Sequence, residues 1–415
     1  MRYRLGGTTD PWKQQTGPLK SLLVSNRYFP PQAGGISHFM ASVASALGPE
    51  QVCCLTNVPS TLDSRVADLG VRVYRRPAAF SSRTSVQAIN LALTLSQIML
   101  AERPQIIQLA MAYEGFIGLW LRRWLRLPFV VYAHGNEILD AMESDWQSPR
   151  QALRQADRVL ACSRFTLDLV KKAGVDPERA VVVHPGCDAN RFRPTQPNDT
   201  LRDTILGSRR HDRIILTVGL ESLKGHDMVI RALPRLLRTV PDVTYIVVGA
   251  GPQERLDRLA VELGVRNRVI FTGLIPDDDL PALYALCDVY VMPSRQDVAQ
   301  HSVEGFGLVY LEANACGKPV IGGRSGGIGD AVVDGVTGLL VDPHDPEAIA
   351  NAIGLLLTNR ELARQLGDQG RSRVVNEFTW DTVGKRVQGI LSSIVYGGQA
   401  NKSADDGCEH VVRSR

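Results

Sequence analysis

Thirteen short apolar runs, separated by segments of helix length, constrain the fold of this chain more than any other feature. Strand-length runs that alternate with amphipathic stretches are the signature of βαβ units, which build parallel sheets. In the first half the runs lie at 22–25, 52–56, 71–75, 106–110, 129–133, 158–163 and 180–185; in the second they lie at 214–219, 244–249, 268–273, 289–294, 319–323 and 337–341. The polar, proline-bearing stretch at 191–212 interrupts the alternation and places a linker near 188–205. At 415 residues the chain exceeds one typical domain, and it fits two of about 180 residues with a ligand cleft between the halves.

The second half carries the most informative segment, EGFGLVYLEANACGKPVIGG at 304–323. It sets two carboxylates, Glu304 and Glu312, on either side of the glycine-rich start of a predicted helix. Gly305 and Gly307 let the backbone approach a ligand, while the first-turn N–H groups and the positive end of the helix form an anion site. At about 1.5 Å per residue, Glu312 lies roughly 7–8 Å beyond a start at Gly307, where a ribose sits if its diphosphate caps the helix. Glu304 faces the sugar, and the arrangement suits a sugar nucleotide. The competing reading is plain packing, with Leu308, Leu311 and Ala315 facing a core, Gly317 ending the helix and both glutamates on the surface. A second segment weighs against it: at 218–233, VGLESLKGHDMVIRAL runs from a strand through a polar loop holding Lys224 into a helix. In a parallel sheet such a loop opens at the carboxyl edge, where ligands bind, so Lys224 can reach the same diphosphate.

Taken with the glycine loop PPQAGGISHF ending at Phe39, YAHGNE at 132–137, HPGCDANRFRP at 184–194, VVGAGP at 247–252 and FTG at 271–273, these segments resemble glycosyltransferases of family 4 over roughly residues 20–395. The run from Met292 to Gly327 is most similar to bacterial enzymes of the phosphatidylinositol mannosyltransferase type, which use GDP-mannose. The resemblance implies an α/β chain of two facing Rossmann-like domains with a deep cleft, and a retaining transfer of a hexose from a nucleotide-sugar to a lipid-linked or glycan acceptor. It implies a tail at 1–18, an acceptor domain at 19–190, a donor domain at 191–377, a helix at 378–396 that crosses back to the first domain, and a tail at 397–415. Catalytic roles fall to Glu304, Lys224 and His134. Donor contacts fall to Gly34, Gly35, Gly219, Lys224, Gly273, Leu274, Glu304, Gly305, Phe306, Gly307, Leu308, Val309 and Glu312, with no cofactor and no metal required. His134 would hydrogen-bond a sugar hydroxyl or the acceptor, although a histidine at a strand end is often only structural. The chain departs from the family in one place: Gly219 is followed by Leu220 where an arginine is usual. That leaves neutralisation of the diphosphate in question, with Arg231, Arg295 and Arg324 as the cations nearby in sequence.

Composition narrows the remaining classes. With 44% hydrophobic and 22% charged residues the chain is ordinary globular material. Its most apolar helix candidate, 86–100, is interrupted by Gln87, Asn90, Ser96 and Gln97, which argues against a membrane span. The first twenty residues lack the apolar core of a signal peptide, so a cytoplasmic location is expected. Seven cysteines, including the adjacent pair Cys53 and Cys54 and no CxxC spacing, read as reduced structural thiols. Asp277, Asp278 and Asp279 precede a helical pattern and read as a helix start rather than a metal site.

Charge is uneven: residues 1–200 carry a net +7 and 201–415 a net −3. The basic half contains GFIGLWLRRWLRLP at 115–128, where Trp120, Arg122, Arg123 and Arg126 share one helix. Such a helix either packs its apolar side on the sheet or lies on an anionic membrane surface at the inner face, and the two readings are compatible. No basic stripe interleaved with aromatics points to nucleic acid. A UDP-sugar donor, a nucleotide-sugar epimerase of related fold and a non-catalytic carbohydrate-binding role are the alternatives that remain.

Overall fold

The computed structural model describes residues 18–32, 34–59, 69–76, 85–143, 147–297 and 302–397; the tails expected at 1–18 and 397–415 fall outside them apart from Pro18 and Gly397. All thirteen apolar runs are strands. In the first half, β1 (Ser21–Ser25), β2 (Val52–Thr56), β3 (Arg72–Arg75), β4 (Ile106–Leu109), β5 (Phe129–Ala133), β6 (Arg158–Ala161) and β7 (Ala180–Val182) form one sheet in the order β3-β2-β1-β4-β5-β6-β7. The helices in its connections are α1 (Gly35–Leu47), α2 (Ser85–Glu102), α3 (Gly115–Leu125), α4 (Asn136–Glu143), α5 (Gln147–Gln155) and α6 (Arg164–Lys172). Helix α7 (Asp199–Leu206) follows, within the stretch expected to be linker. Asn198 caps it by accepting the Leu201 N–H, and Leu206 is buried in the core beside the second sheet, so an apolar side hidden in a polar segment made it helical.

The second sheet runs β10-β9-β8-β11-β12-β13, from β8 (Arg213–Val218), β9 (Val243–Val248), β10 (Val269–Gly273), β11 (Val289–Met292), β12 (Val320–Gly323) and β13 (Gly338–Val341), and all its pairings are parallel. Its helices are α8 (His226–Thr239), α9 (Glu254–Glu262), α10 (Leu280–Leu286), α11 (Leu308–Ala315), α12 (Ile328–Ala331), α13 (Pro346–Thr358) and α14 (Arg360–Glu377); α15 (Trp380–Tyr396) follows them and meets Ala46 of α1 at Gly384. Residues alternate between its two faces. Ile214, Leu216, Ile246 and Val248 join one core cluster, and Ile215, Tyr245 and Val247 join the other. On the second face, α8 buries Val229, Ile230, Leu233 and Leu236, each stabilising the fold by about 1.5–3 kcal/mol.

The chain divides into two compact units, one running to Tyr132 with Gln147–Val159 and the residues from Gly384, the other comprising Ala133–Trp146 and Leu160–Val383. In the first unit Glu102 joins β3 to the chain before β1, bonding Lys20, Arg72 and Tyr74 at 2.6 Å each. Burial opposes its charge, but these three bonds outweigh it and hold the carboxyl down at about 2. Helix α3 buries Ile117 and Leu121 and leaves Trp120 and Trp124 40% and 70% exposed. Arg122, expected on a basic outer face, is engaged elsewhere. Its guanidinium donates to Asp157 at 2.6 Å and lies 5.0 Å over the Phe129 ring, so an acid 35 positions along removes it from that face. Arg123 and Arg126 remain exposed. Among the described residues no helix is long and apolar enough to cross a membrane.

Candidate active site

Strand order explains why two segments far apart in sequence meet. In the second sheet the order in which strands are added reverses between β8 and β11, and the carboxyl ends of strands at such a switch point form the binding crevice of an open parallel sheet. The loop after β8 carries Lys224, and the segment after β11 leads to Glu304. The two side chains touch: Lys224 Nζ donates to Glu304 Oε2 at 2.7 Å, with each side chain only 14% exposed. Burial works against the Lys224 charge, yet Glu304, Glu221 and Glu312 overcome it and hold the ammonium above its ordinary pKa. Lys224 is therefore a fixed cation in a crowded, acid-lined place.

Backbone geometry sets this pair. Lys224 ends a single 3-10 turn, and Gly225 after it has φ 79°, so close to Pro293 that a Cβ would stand 2.3 Å from its carbonyl oxygen. Only glycine permits that approach, and it ties the β8 loop to the exit of β11, where Arg295 N–H also donates to Leu223. Gly305 is as constrained. A Cβ there would lie 2.0 Å from the His134 carbonyl oxygen, so the Glu304–Gly305 segment presses directly on the turn after β5. From its other side the Gly327 N–H donates to the Glu304 carbonyl at 2.9 Å.

Helix α11 opens after Gly307 with no side-chain cap and no acid in its first turn, which leaves its first N–H groups for an anion. Phe306 is buried in the core, while Leu308 and Val309 are half-buried in the first turn. One turn further, Glu312 accepts from the Tyr284 hydroxyl at 2.8 Å, and burial raises its pKa. Leu311 and Ala315 do face the core, but Leu308 is only half-buried and both glutamates are bonded rather than free on the surface, so the packing reading holds for part of the apolar side alone.

The other residues singled out in the sequence sit on other elements, Gly219 alone of them against Lys224, whose Cε would stand 3.4 Å from a Cβ there. Gly273 ends β10, an edge strand two positions from β8, and Leu274 is 77% exposed. Gly34 and Gly35 lie at the start of α1, and Trp120, Arg122, Arg123 and Arg126 on or just after α3, all in the first unit. Gly219 turns the chain out of β8 with its N–H donating to Val248. Leu220, where the family places arginine, packs on the VGAGP backbone: a Cβ on Gly249 or Gly251 would come within 3.2–3.3 Å of its side chain. Neither nearby arginine stands free in its place. Arg295 is held by Asp227 at 2.9 and 3.1 Å, and Arg324 by Asp334 at 2.5 Å. Arg231 is exposed on α8. Asp277–Asp279 form a short turn leading into α10, and among the described residues no cluster of three or more His, Cys, Asp or Glu is arranged to hold a metal.

The comparisons with known proteins fit this geometry. The family description "Glycosyltransferase Family 4" matches residues 33–191 and "Glycosyl transferases group 1" matches residues 201–373. A GDP-mannose-dependent alpha-(1-6)-phosphatidylinositol monomannoside mannosyltransferase of Mycolicibacterium smegmatis is 35% identical over 380 residues, covering 89% of this chain and 98% of that protein. The chain belongs to glycosyltransferase family 4. A D-inositol 3-phosphate glycosyltransferase of Acidothermus cellulolyticus is 39% identical over 271 residues, 60% of this chain and 57% of that one. In fold, this family 4 glycosyltransferase is similar to Anabaena HepE in complex with UDP-glucose, with a TM-score of 0.75 at 24% identity over 90% of this chain and 100% of that one. The architecture is accordingly two Rossmann-like α/β domains.

Sequence reasoning missed the residues that brace the site. Asn136 accepts the Val303 N–H at 2.8 Å, and Glu137 accepts the His134 N–H at 2.5 Å. Cys162 Sγ donates to the Gly305 carbonyl at 3.3 Å. A signal existed for one of them, since an acid three positions after a strand-end histidine is spaced to cap the following turn.

Proposed function

We propose that this glycosyltransferase transfers mannose from GDP-mannose, with retention at the anomeric carbon, to a lipid-linked acceptor of the phosphatidylinositol mannoside class. The observation that carries the reading is the Lys224–Glu304 contact at the switch point of the second sheet. In this reading the anomeric C–O bond breaks toward the departing diphosphate, the acceptor oxygen forms its bond on the same face, and the acceptor hydroxyl gives its proton to the leaving phosphate oxygen. Negative charge accumulates on the leaving phosphate. Lys224 and the first N–H groups of α11 are fixed before that charge appears, and such preorganised electrostatics is usually the largest catalytic term. Glu304 faces the sugar, Glu312 the ribose, and His134 a sugar or acceptor hydroxyl. No metal or other cofactor is needed, because cation and helix dipole are already in place.

The donor preference is supported by the Mycolicibacterium relative, which is named as GDP-mannose-dependent, while a UDP-sugar donor is the nearest alternative. A thermal-shift screen of GDP- and UDP-sugars separates them, since a ligand at 100 times its Kd stabilises by about 2.7 kcal/mol. An epimerase would interconvert sugar nucleotides with no acceptor present, and a transferase would not. The acceptor reading gains from the first unit, where exposed Ile89, Leu93 and Leu100 of α2 join Phe116, Trp120 and Trp124 of α3 beside Arg123 and Arg126. Right-handed crossovers put α2 and α3 on one face of that sheet. That face suits peripheral attachment to an anionic bilayer on the cytoplasmic side.

A further inference from the structure

The turn between β5 and α4 contains a buried carboxyl to which the reaction above gives no role. Glu137 is 1% exposed. Its Oε1 accepts the His134 N–H at 2.5 Å, and the N–H groups of Gly135 and of Glu137 itself act on the same carboxyl. Its Oε2 is buried without a hydrogen-bond partner. The neighbouring Asn136 reaches the other way and accepts the Val303 N–H at 2.8 Å. Glu137 thus holds the His134 turn to itself, while Asn136 and the Gly305 contact hold that turn to the Glu304 segment.

We propose that Glu137 is a positioning residue: its ionised carboxylate gathers the N–H groups of residues 134, 135 and 137 and sets His134 against the Glu304 segment, and its protonation loosens that hold. Bonds to a carboxylate are roughly twice as strong as neutral ones, and a proton on the unpartnered Oε2 turns the accepting Oε1 into a neutral carbonyl oxygen. Burial is the main force on this group and pushes it up to about 7, so both forms are populated near neutrality. Among the described residues, the charged and titratable groups around it are few. Asp140 on α4 adds to the rise, and His134 lies on the turn itself. From the connection after β6 comes the Cys162 thiol, which burial pushes up to about 12 and on which Glu137 and Glu304 both act. On α6, which packs against α4, Arg164 pairs with Asp330, Asp168 pairs with Lys171, and Lys172 is exposed.

The test compares the full-length chain with Glu137→Gln, which keeps the shape and one acceptor oxygen but cannot ionise. Hydrogen exchange at pH 8, without any substrate, reads the turn directly. Amides of residues 134, 135 and 137 should exchange at least fivefold faster in the variant, and equal rates would overturn the proposal. The second arm rests on the transferase reading and follows kcat for mannosyl transfer from pH 5.5 to 9. The native rate should rise through about pH 7, while the Glu137→Gln rate stays flat at the native acid level with donor KM within twofold. A variant that keeps the native rise also overturns the proposal. Should neither protein transfer sugar, the transferase reading fails, and the exchange arm still decides the role of Glu137.

Discussion

Among the described residues, every exposed large aromatic side chain, Phe116, Trp120, Trp124 and Tyr396, belongs to the first unit, whereas the second exposes only the separate aliphatics Val261, Leu274, Val336, Leu355 and Val375. The second unit gathers its charges instead at the switch point of its sheet, where Lys224 and Glu304 bond and Arg295 is held by Asp227. Both units wind parallel strands in the same manner, so the winding does not decide what a surface does. Side chains placed at the strand ends make one unit a tied electrostatic centre, and side chains on the outer helices make the other an apolar, basic face.

The sharpest way to break this contrast is Glu304→Ala. Turnover should fall by at least about 10²–10³ while donor affinity by calorimetry changes only a few-fold, the range seen when one preorganised electrostatic group is removed. Unchanged turnover would remove Glu304 from the centre. Lys224→Met should lower kcat/KM about 100-fold, equivalent to about 2.7 kcal/mol of transition-state stabilisation. For the first unit, the double change Arg123→Glu and Arg126→Glu should weaken sedimentation with anionic vesicles at least about tenfold, since each arginine near such a surface contributes about 1 kcal/mol. Equal binding to neutral and anionic vesicles by the native chain would count against a lipid face.

Two buried carboxyls, one in each unit, give opposite pH signatures. Glu102 is held at about 2, below its ordinary 4.5, so its contribution to stability is present above about pH 4.5 and is lost as pH falls through about 2. Glu102→Gln should cost about 1–2 kcal/mol in urea denaturation at pH 7, less than the full shift implies because Lys20 and Arg72 reach solvent. Glu137 is raised, so its contribution is complete below about pH 4.5 and is lost as pH rises through about 7. Native stability should therefore decline relative to Glu137→Gln between pH 5 and 8. The smallest effect is expected from Leu220→Arg, which adds a cation beside the diphosphate site proposed above and should raise donor affinity by up to about tenfold; no gain would count against a diphosphate beside Leu220.

Much of the fold was legible because strand runs in a parallel sheet are apolar on both faces and stand out against amphipathic helices. Helix α7 was hidden because only Leu201, Ile205 and Leu206 mark its apolar side within a polar stretch. The site was legible as two separate segments. Their meeting across 80 positions depends on β8 and β11 being neighbours, and strand order is a tertiary fact that local pattern does not carry. The same limit applies to Arg122 and its distant partner Asp157, and to Glu137, whose identity is local but whose burial is not.

Six cysteines, Cys53, Cys54, Cys162, Cys187, Cys287 and Cys316, are free and buried, and burial raises the pKa of every one. Thiol reagents attack the exposed thiolate, so in the native state these sulfurs should stay silent. Their alkylation rates then become clocks for local opening: Cys53 and Cys54 time the fraying of β2, and Cys287 and Cys316 time the loosening of the layer around α10 and α11. Mass-resolved labelling can follow both sheets in a single sample without adding a probe.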